Sequence, residues 1–145
     1  MTPRPTLTRL PDWPERLADY LAAQRGAVFA WATCDCVRFA AGDVLAVTGQ
    51  HVLPVEWASR ADAARQLRAR GGLCAAVDSV LPRLPAPTLA QRGDVVLVQA
   101  PVAGGRARRR WLAVVDGAQW RTPGPQGLAA GPMDQAVVAW GVGRG

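Results

Sequence analysis

The spacing of apolar positions along this chain changes once, near residue 93. Before that point, apolar residues recur every three or four positions, which is the spacing of amphipathic helices. From Val95 onward, runs of β-branched residues bounded by glycine and proline predict strands. A chain with helices first and strands second is typical of the α+β class, in which N-terminal helices pack on a small antiparallel sheet.

Local signals predict where each helix begins and ends. Asp12 and Glu15 form a capping-box pattern, and Gly26 is placed to end the first helix in a left-handed cap. The second helix has apolar residues around most of its circumference, which predicts a buried central position. The predicted helices follow Asp12, span residues 36–47, follow Ser59 and span residues 73–81.

Residues 1–12 are predicted to form an extended N-terminal arm, and residues 13–145 a single domain. A length of 145 residues suits one hydrophobic core. The Pro- and Gly-rich stretch 123–132 is predicted to lie outside the sheet. The predicted strands are residues 95–99, 111–115, a short segment at 119–122 and residues 136–140.

The formal net charge is +6, and all 17 cationic side chains are arginine. Four of them, Arg106, Arg108, Arg109 and Arg110, lie in the predicted ten-residue connection 101–110, directly before Trp111. Such a cluster creates a positive potential suited to nucleic acid, an acidic cell-wall polymer or a carboxylate-rich protein. It also fits a solvated hairpin tip. We predict that the four arginines and Trp111 form a binding surface. Nucleic acid is the less favoured partner, because interleaved aromatic residues and a recognisable DNA-binding motif are lacking.

Other features narrow the function classes. No apolar stretch is long enough to span a membrane, and no secretory signal is expected at the N-terminus. Cys34 and Cys36 are one residue apart and do not form the C-x-x-C pair of a zinc site, so neither a metal nor a cofactor is expected. With Cys74 they make three cysteines, predicted to be free thiols made in a reducing cytoplasm.

Cys36 is the candidate for covalent chemistry. A thiol at a helix N-terminus is exposed to the positive end of the helix dipole, which lowers its pKa and favours the nucleophilic thiolate. Asp35 next to it opposes this effect unless its carboxylate turns away to cap the helix. The alternative interpretation is a buried cysteine that acts as a small hydrophobic residue.

Three segments carry a family resemblance: Asp35-Cys36-Val37-Arg38-Phe39-Ala40, Arg92-Gly93-Asp94-Val95-Val96-Leu97 and Trp111-Leu112-Ala113-Val114-Val115-Asp116-Gly117. The chain from residue 13 to residue 143 resembles the NlpC-type branch of the papain-like cysteine peptidases. It is more closely similar to a group of phage proteins of that fold that are encoded among tail genes. The resemblance implies a papain-like fold and places the peptidase nucleophile at Cys36.

The resemblance also exposes a gap in the catalytic machinery. In the peptidases a histidine base begins the strand that here starts with Trp111, and neither Trp111 nor Arg110 can accept the proton. The single histidine, His51, is expected about 20 Å from Cys36 at the far end of the second helix, at 1.5 Å per residue. The resemblance therefore implies an inactive scaffold.

The expected role is that of a phage or prophage tail protein, acting in the tail tip or in tail assembly. Its partners would be other tail proteins and its location the virion tail, after synthesis in the host cytoplasm. The alternative is an active peptidoglycan endopeptidase or amidase with Cys36 as nucleophile. A basic nucleic-acid-binding module is a third possibility and would show a continuous positive face.

Overall fold

The computed structural model describes residues 3–52, 56–101 and 108–144. Within these residues the chain forms four α-helices followed by a five-stranded antiparallel sheet, which confirms the α+β class. No helix among the described residues has the length and apolar character needed to cross a membrane. The helices are α1 (Trp13–Ala23), α2 (Cys36–Thr48), α3 (Arg60–Ala69) and α4 (Leu73–Asp78).

The five strands are ordered β4-β3-β2-β1-β5 across the sheet. The β1–β2 ladder is the longest, and it runs from the pair Val95–Val114 to the pair Pro101–Arg108. Short 3₁₀ turns precede β1, at Pro87–Leu89, and β5, at Met133–Gln135. The strands are β1 (Val95–Pro101), β2 (Arg108–Asp116), β3 (Gln119–Gly124), β4 (Gly127–Pro132) and β5 (Ala136–Trp140).

Helix α2 lies at the centre of the molecule, as its apolar pattern predicts. It packs on α1 and on β2, and Val44 and Val47 are almost fully shielded from solvent. Asp35 caps its N-terminus, and Gly49 ends it in the left-handed conformation at φ +75°. Both ends of the helix are therefore set by capping residues, Asp35 and Gly49, of types that the sequence alone indicates as caps.

The sheet is apolar on both faces. Alternating residues of β1 and β2 point to opposite sides, so one set packs under the helices and the other builds a second cluster with Trp120. Both sets are buried, which explains why these strands are nearly continuous apolar runs. The helix side holds Val95, Leu97, Leu112 and Val114, and the opposite side holds Val96, Val98, Ala113 and Val115.

Several predicted boundaries were wrong. The Asp12 side chain makes no capping hydrogen bond, and the first helix ends at Ala23, with Gln24 rather than Gly26 as its C-cap. The fourth helix ends at Asp78, before the predicted residue 81. The Pro- and Gly-rich stretch 123–132 is not outside the sheet, because it completes β3 and forms β4. Pairing along the whole of β3 gives this Gly- and Ala-rich segment its backbone hydrogen bonds, and as an edge strand it tolerates weak strand formers.

The N-terminal segment 3–12 is held on the domain by Arg9. Its guanidinium donates hydrogen bonds to the carbonyl oxygens of Val142 and Arg92. It also forms a 3.0 Å salt bridge with Asp94, whose side chain is fully buried. Asp94 also pairs with Arg144 and accepts a hydrogen bond from the Val142 amide. This cluster joins the two ends of the chain to the turn that opens the sheet.

Candidate functional site

Cys36 occupies the first helical position of α2, as predicted. The preceding residue, Asp35, adopts the extended conformation of an N-cap and accepts a 2.9 Å hydrogen bond from the Arg38 amide. The Asp35 carboxylate is therefore turned to the helix end. Cys36 as a whole residue is half-buried beside it.

Asp35 is the centre of a buried polar network. Its Oδ2 atom accepts hydrogen bonds from Nε1 of Trp57 at 2.9 Å and from the Arg38 guanidinium at 2.8 Å. Arg38 in turn bonds the Trp57 carbonyl at 3.2 Å. The same carboxylate accepts the Ala32 amide at 3.2 Å, and Ala32 has a positive φ of 71°, which is strained for a residue with a Cβ. The Asp35 carboxylate therefore accepts four hydrogen bonds, which together hold the N-terminus of α2 in place.

The Cys36 thiol is held in its neutral form. Burial raises its pKa to about 11, and the negative charge of Asp35 acts in the same direction. The backbone N–H of Leu112, on β2, lies against the sulfur and lowers the pKa only in part. At neutral pH this cysteine is a thiol rather than a nucleophilic thiolate.

Strand β2, which packs on α2, contributes the backbone N–H of Leu112 to the surroundings of the Cys36 thiol. The only histidine of the chain, His51, is exposed and follows the C-terminal end of α2, at the opposite end of the helix from Cys36. The prediction that His51 cannot serve Cys36 is consistent with this placement. Among the described residues, no group of three or more His, Cys, Asp or Glu side chains could hold a metal ion.

The arginine cluster was predicted in a hairpin connection, but the structure extends the strand into it. Arg108, Arg109 and Arg110 are the first three residues of β2, they are exposed, and they pair with Pro101, Ala100 and Gln99 of β1. Strand pairing continues this far because the hydrogen bonds of a β ladder join backbone groups, so exposed arginine side chains do not interrupt it. Arg106 lies outside the described residues.

Strand geometry divides the arginines between two faces. Arg108 and Arg110 are on the side of Leu112, which faces α2, whereas Arg109 is on the opposite side. Arg110 donates a 2.8 Å hydrogen bond from Nε to the Gln99 side chain. Arg108 and Arg110 are therefore on the helix side of the sheet, the side on which Cys36 packs, whereas Arg109 is not.

Trp111 was predicted to form part of the binding surface, and the structure places it at the rim of the core. It is half-buried, and its ring meets that of Trp120 edge-on at 5.6 Å. Trp57 and Trp120 are buried, although polar residues flank both of them in the sequence. Trp31, by contrast, follows an apolar run of the sequence and is 39% exposed.

The exposed Trp31 belongs to a small aromatic surface before α2. Its ring meets Phe29 edge-on at 5.2 Å and Trp57 at 6.5 Å, and Val28 beside it is 51% exposed. The Phe29 amide bonds the Gly124 carbonyl at 2.9 Å, which fastens this segment to β3. Sequence reasoning missed this surface and the Asp35–Arg38–Trp57 network, because both depend on residues that are distant along the chain.

Comparison with known proteins identifies one family. A family model described as a domain of unknown function (DUF6950) matches residues 8–142. No curated protein and no solved structure matches the chain.

Proposed function

The chain belongs to the DUF6950 family, and from that premise we propose that it is a phage or prophage tail protein that acts through protein contacts. It would serve in the tail tip or in tail assembly, on a papain-like scaffold that lacks peptidase chemistry. The tail assignment rests on the resemblance to proteins encoded among phage tail genes. The inactive scaffold rests on the surroundings of Cys36.

The surroundings of Cys36 support the loss of peptidase activity. A cysteine peptidase needs a base within hydrogen-bond distance of its thiol or a thiol pKa low enough for a standing thiolate. Here the thiol pKa is raised to about 11, and the only histidine of the sequence follows the other end of α2. Among the described residues, neither route to a nucleophile is present.

Two exposed features support a role in protein contacts. The arginines at the start of β2, Arg108 to Arg110, form no salt bridge with any other described residue, so their charges are available to a partner. On the segment before α2, Trp31 and Val28 present apolar surface to solvent. Exposed aromatic and arginine side chains are the residue types that contribute most to protein interfaces.

The test is made in the phage that encodes the protein. Particles from a deletion strain are compared by electron microscopy with particles made by strains complemented with the natural chain, with Cys36→Ala or with a triple Arg→Gln change at residues 108–110. We expect the deletion to leave incomplete tails, Cys36→Ala to restore them, and the triple change to restore fewer. Normal particles from the deletion strain would overturn the assembly role.

The alternative is an active cell-wall peptidase or amidase. It is favoured by the position of Cys36 at a helix N-terminus, where the backbone N–H groups of Cys36 and Val37 lower the thiol pKa. The purified protein is incubated with peptidoglycan, and soluble fragments are measured by mass spectrometry. Fragment release that Cys36→Ala abolishes would establish the peptidase and exclude the inactive scaffold.

A further inference from the structure

An open pocket lies beside α1, and Cys36 is not among the residues that line it. It has a volume of about 260 Å³, and α1, the turn before β1, the end of β2, β3 and β4 all contribute to its walls. The residues that determine its chemistry are Arg25, Arg92, Arg121, Asp116, Leu21 and Leu128.

The charges in this pocket do not balance. Three guanidinium groups face one carboxylate among the described residues that line it. The Asp116 carboxylate contacts two of these arginines. Its Oδ1 lies 3.3 Å from Nε of Arg92, and its Oδ2 lies 3.6 Å from Nε of Arg121. Neither arginine has the paired, short contacts of a bidentate carboxylate complex, so both retain donor capacity.

Arg121 faces both Asp116 and the pocket. Its Nε atom is shielded from solvent and has Oδ2 of Asp116 at 3.6 Å, beyond hydrogen-bond distance. The side chain as a whole is 33% exposed, so a ligand would reach it through its exposed atoms rather than through Nε. The third arginine, Arg25, is exposed and forms no salt bridge within the part of the chain that the structure describes.

The remaining wall of the pocket is apolar. Leu21 and the small side chains Ala18 and Ala22 come from α1, and Leu128 comes from β4. A ligand complementary to this pocket needs an anionic group that pairs with the arginines and a short hydrocarbon chain that packs against the leucines. The volume lies just below the range of ordinary small-molecule pockets, about 300–1,000 Å³, which favours a single acidic group over a polymer segment.

We propose that this pocket binds a carboxylate on a short apolar stem, with the head held by Arg92 and Arg121 and the stem against Leu21 and Leu128. The planar guanidinium matches a carboxylate in two parallel hydrogen bonds. The ligand is either a free small acid or the terminal carboxylate of a peptide. This inference does not depend on the tail assignment.

The experiment titrates the full chain with butyrate and follows the arginine Nε–H and leucine methyl signals by NMR. We expect saturable shifts at Arg92, Arg121, Leu21 and Leu128, and binding weaker by about tenfold or more for butyramide, which keeps the stem without the charge. Inorganic phosphate, an anion without a stem, is expected to bind more weakly than butyrate. Absence of saturable shifts, or equal binding of butyramide, overturns the proposal.

Variants locate the site. Arg121→Gln is expected to weaken butyrate by about tenfold, and Arg25→Gln, at an exposed side chain that folding does not need, by a smaller factor. Arg68→Gln is the matched control, because Arg68 is exposed on α3 away from the pocket, and it should leave binding unchanged. Unchanged binding in both pocket variants contradicts the assignment.

A second arm separates the sources of the carboxylate. Acetyl-Gly-Leu with a free C-terminus is compared with its C-terminal amide and with butyrate. Tighter binding of the free-acid peptide than of butyrate identifies a protein terminus as the ligand, whereas tighter binding of butyrate identifies a small acid. Equal binding of the peptide acid and its amide would show that the carboxylate is not recognised.

Discussion

Nε1 of Trp57 donates a 2.9 Å hydrogen bond to Oδ2 of Asp35, which joins two residues 22 positions apart in a site shielded from water. The loop before α3 is thereby fastened to the N-terminus of α2. Arg38, one turn into the helix, closes the arrangement by contacting both residues. The polar network therefore fixes the end of α2 that carries Cys36.

Removal of the Asp35 carboxylate should be strongly destabilising. Asp35→Ala leaves the Trp57 indole and the Arg38 guanidinium without their partner, and we expect the free energy of unfolding to fall by about 3–5 kcal/mol. Urea unfolding of the variant measures this loss. Ser59→Ala is the matched control, because Ser59 caps α3 at an exposed site, and about 1 kcal/mol is expected there. Equal losses in the two variants would show that the network adds nothing beyond a helix cap.

The contrast between these two caps shows what the sequence can reveal. Asp35 and Ser59 are recognisable as caps because the signal lies within three residues of each helix start. The bond from Trp57 to Asp35 cannot be read in this way, since the intervening chain folds back to bring the two together. Local chemistry thus predicted the helix starts but not the network that stabilises one of them.

The same distinction applies to the sheet. β5 was predicted with correct limits because Val137 and Val138 favour strand locally. β4 consists largely of glycine, alanine and proline, and it becomes a strand only because β3 lies beside it. The pocket at Arg92 and Arg121 was also beyond prediction, because several separate elements form its walls.

Cys36 should react slowly with alkylating reagents at neutral pH. With a pKa of about 11, roughly one thiol in ten thousand is ionised at pH 7. We expect iodoacetamide to modify Cys36 in the folded protein far more slowly than the free amino acid, with a rate that rises through pH 9 to 11. Peptide mass spectrometry over a time course measures the rate. Modification at pH 7 faster than that of free cysteine would indicate an activated nucleophile and contradict the inactive site.

Gly42 should not tolerate a larger side chain. A Cβ added there would collide with the Tyr20 hydroxyl and ring, which stack on Phe39 and bond its carbonyl at 2.8 Å. We expect Gly42→Ala to lower the free energy of unfolding by about 1–3 kcal/mol, although alanine is the better helix former. Gly26→Ala is the control, since nothing lies within 4 Å of its added Cβ. A Gly42→Ala protein as stable as the Gly26→Ala protein would show that Tyr20 moves aside at no cost.

Asp43 should make the protein less stable as the pH rises. Its side chain is fully buried in α2, and the described residues give its carboxyl oxygens no hydrogen-bond partner. Burial raises the pKa of Asp43 well above its usual value, the charge of Asp94 adds to the rise, and the Arg9 guanidinium opposes it. The folded state therefore retains a proton that the unfolded state releases.

The direction of the pH dependence of stability follows from this retained proton. Above the unfolded pKa of about 3.9, the free energy of unfolding should fall by about 1.4 kcal/mol per pH unit, until the folded pKa of Asp43 is reached. Asp43→Asn imitates the neutral acid, so the variant should match the natural protein near pH 4 and become the more stable of the two as the pH rises. Urea unfolding between pH 4 and 8 measures the difference. Asp134→Asn, at an exposed side chain, is the control and should leave the pH profile unchanged. Parallel profiles for the Asp43→Asn and natural proteins would show that Asp43 is ionised in the folded state.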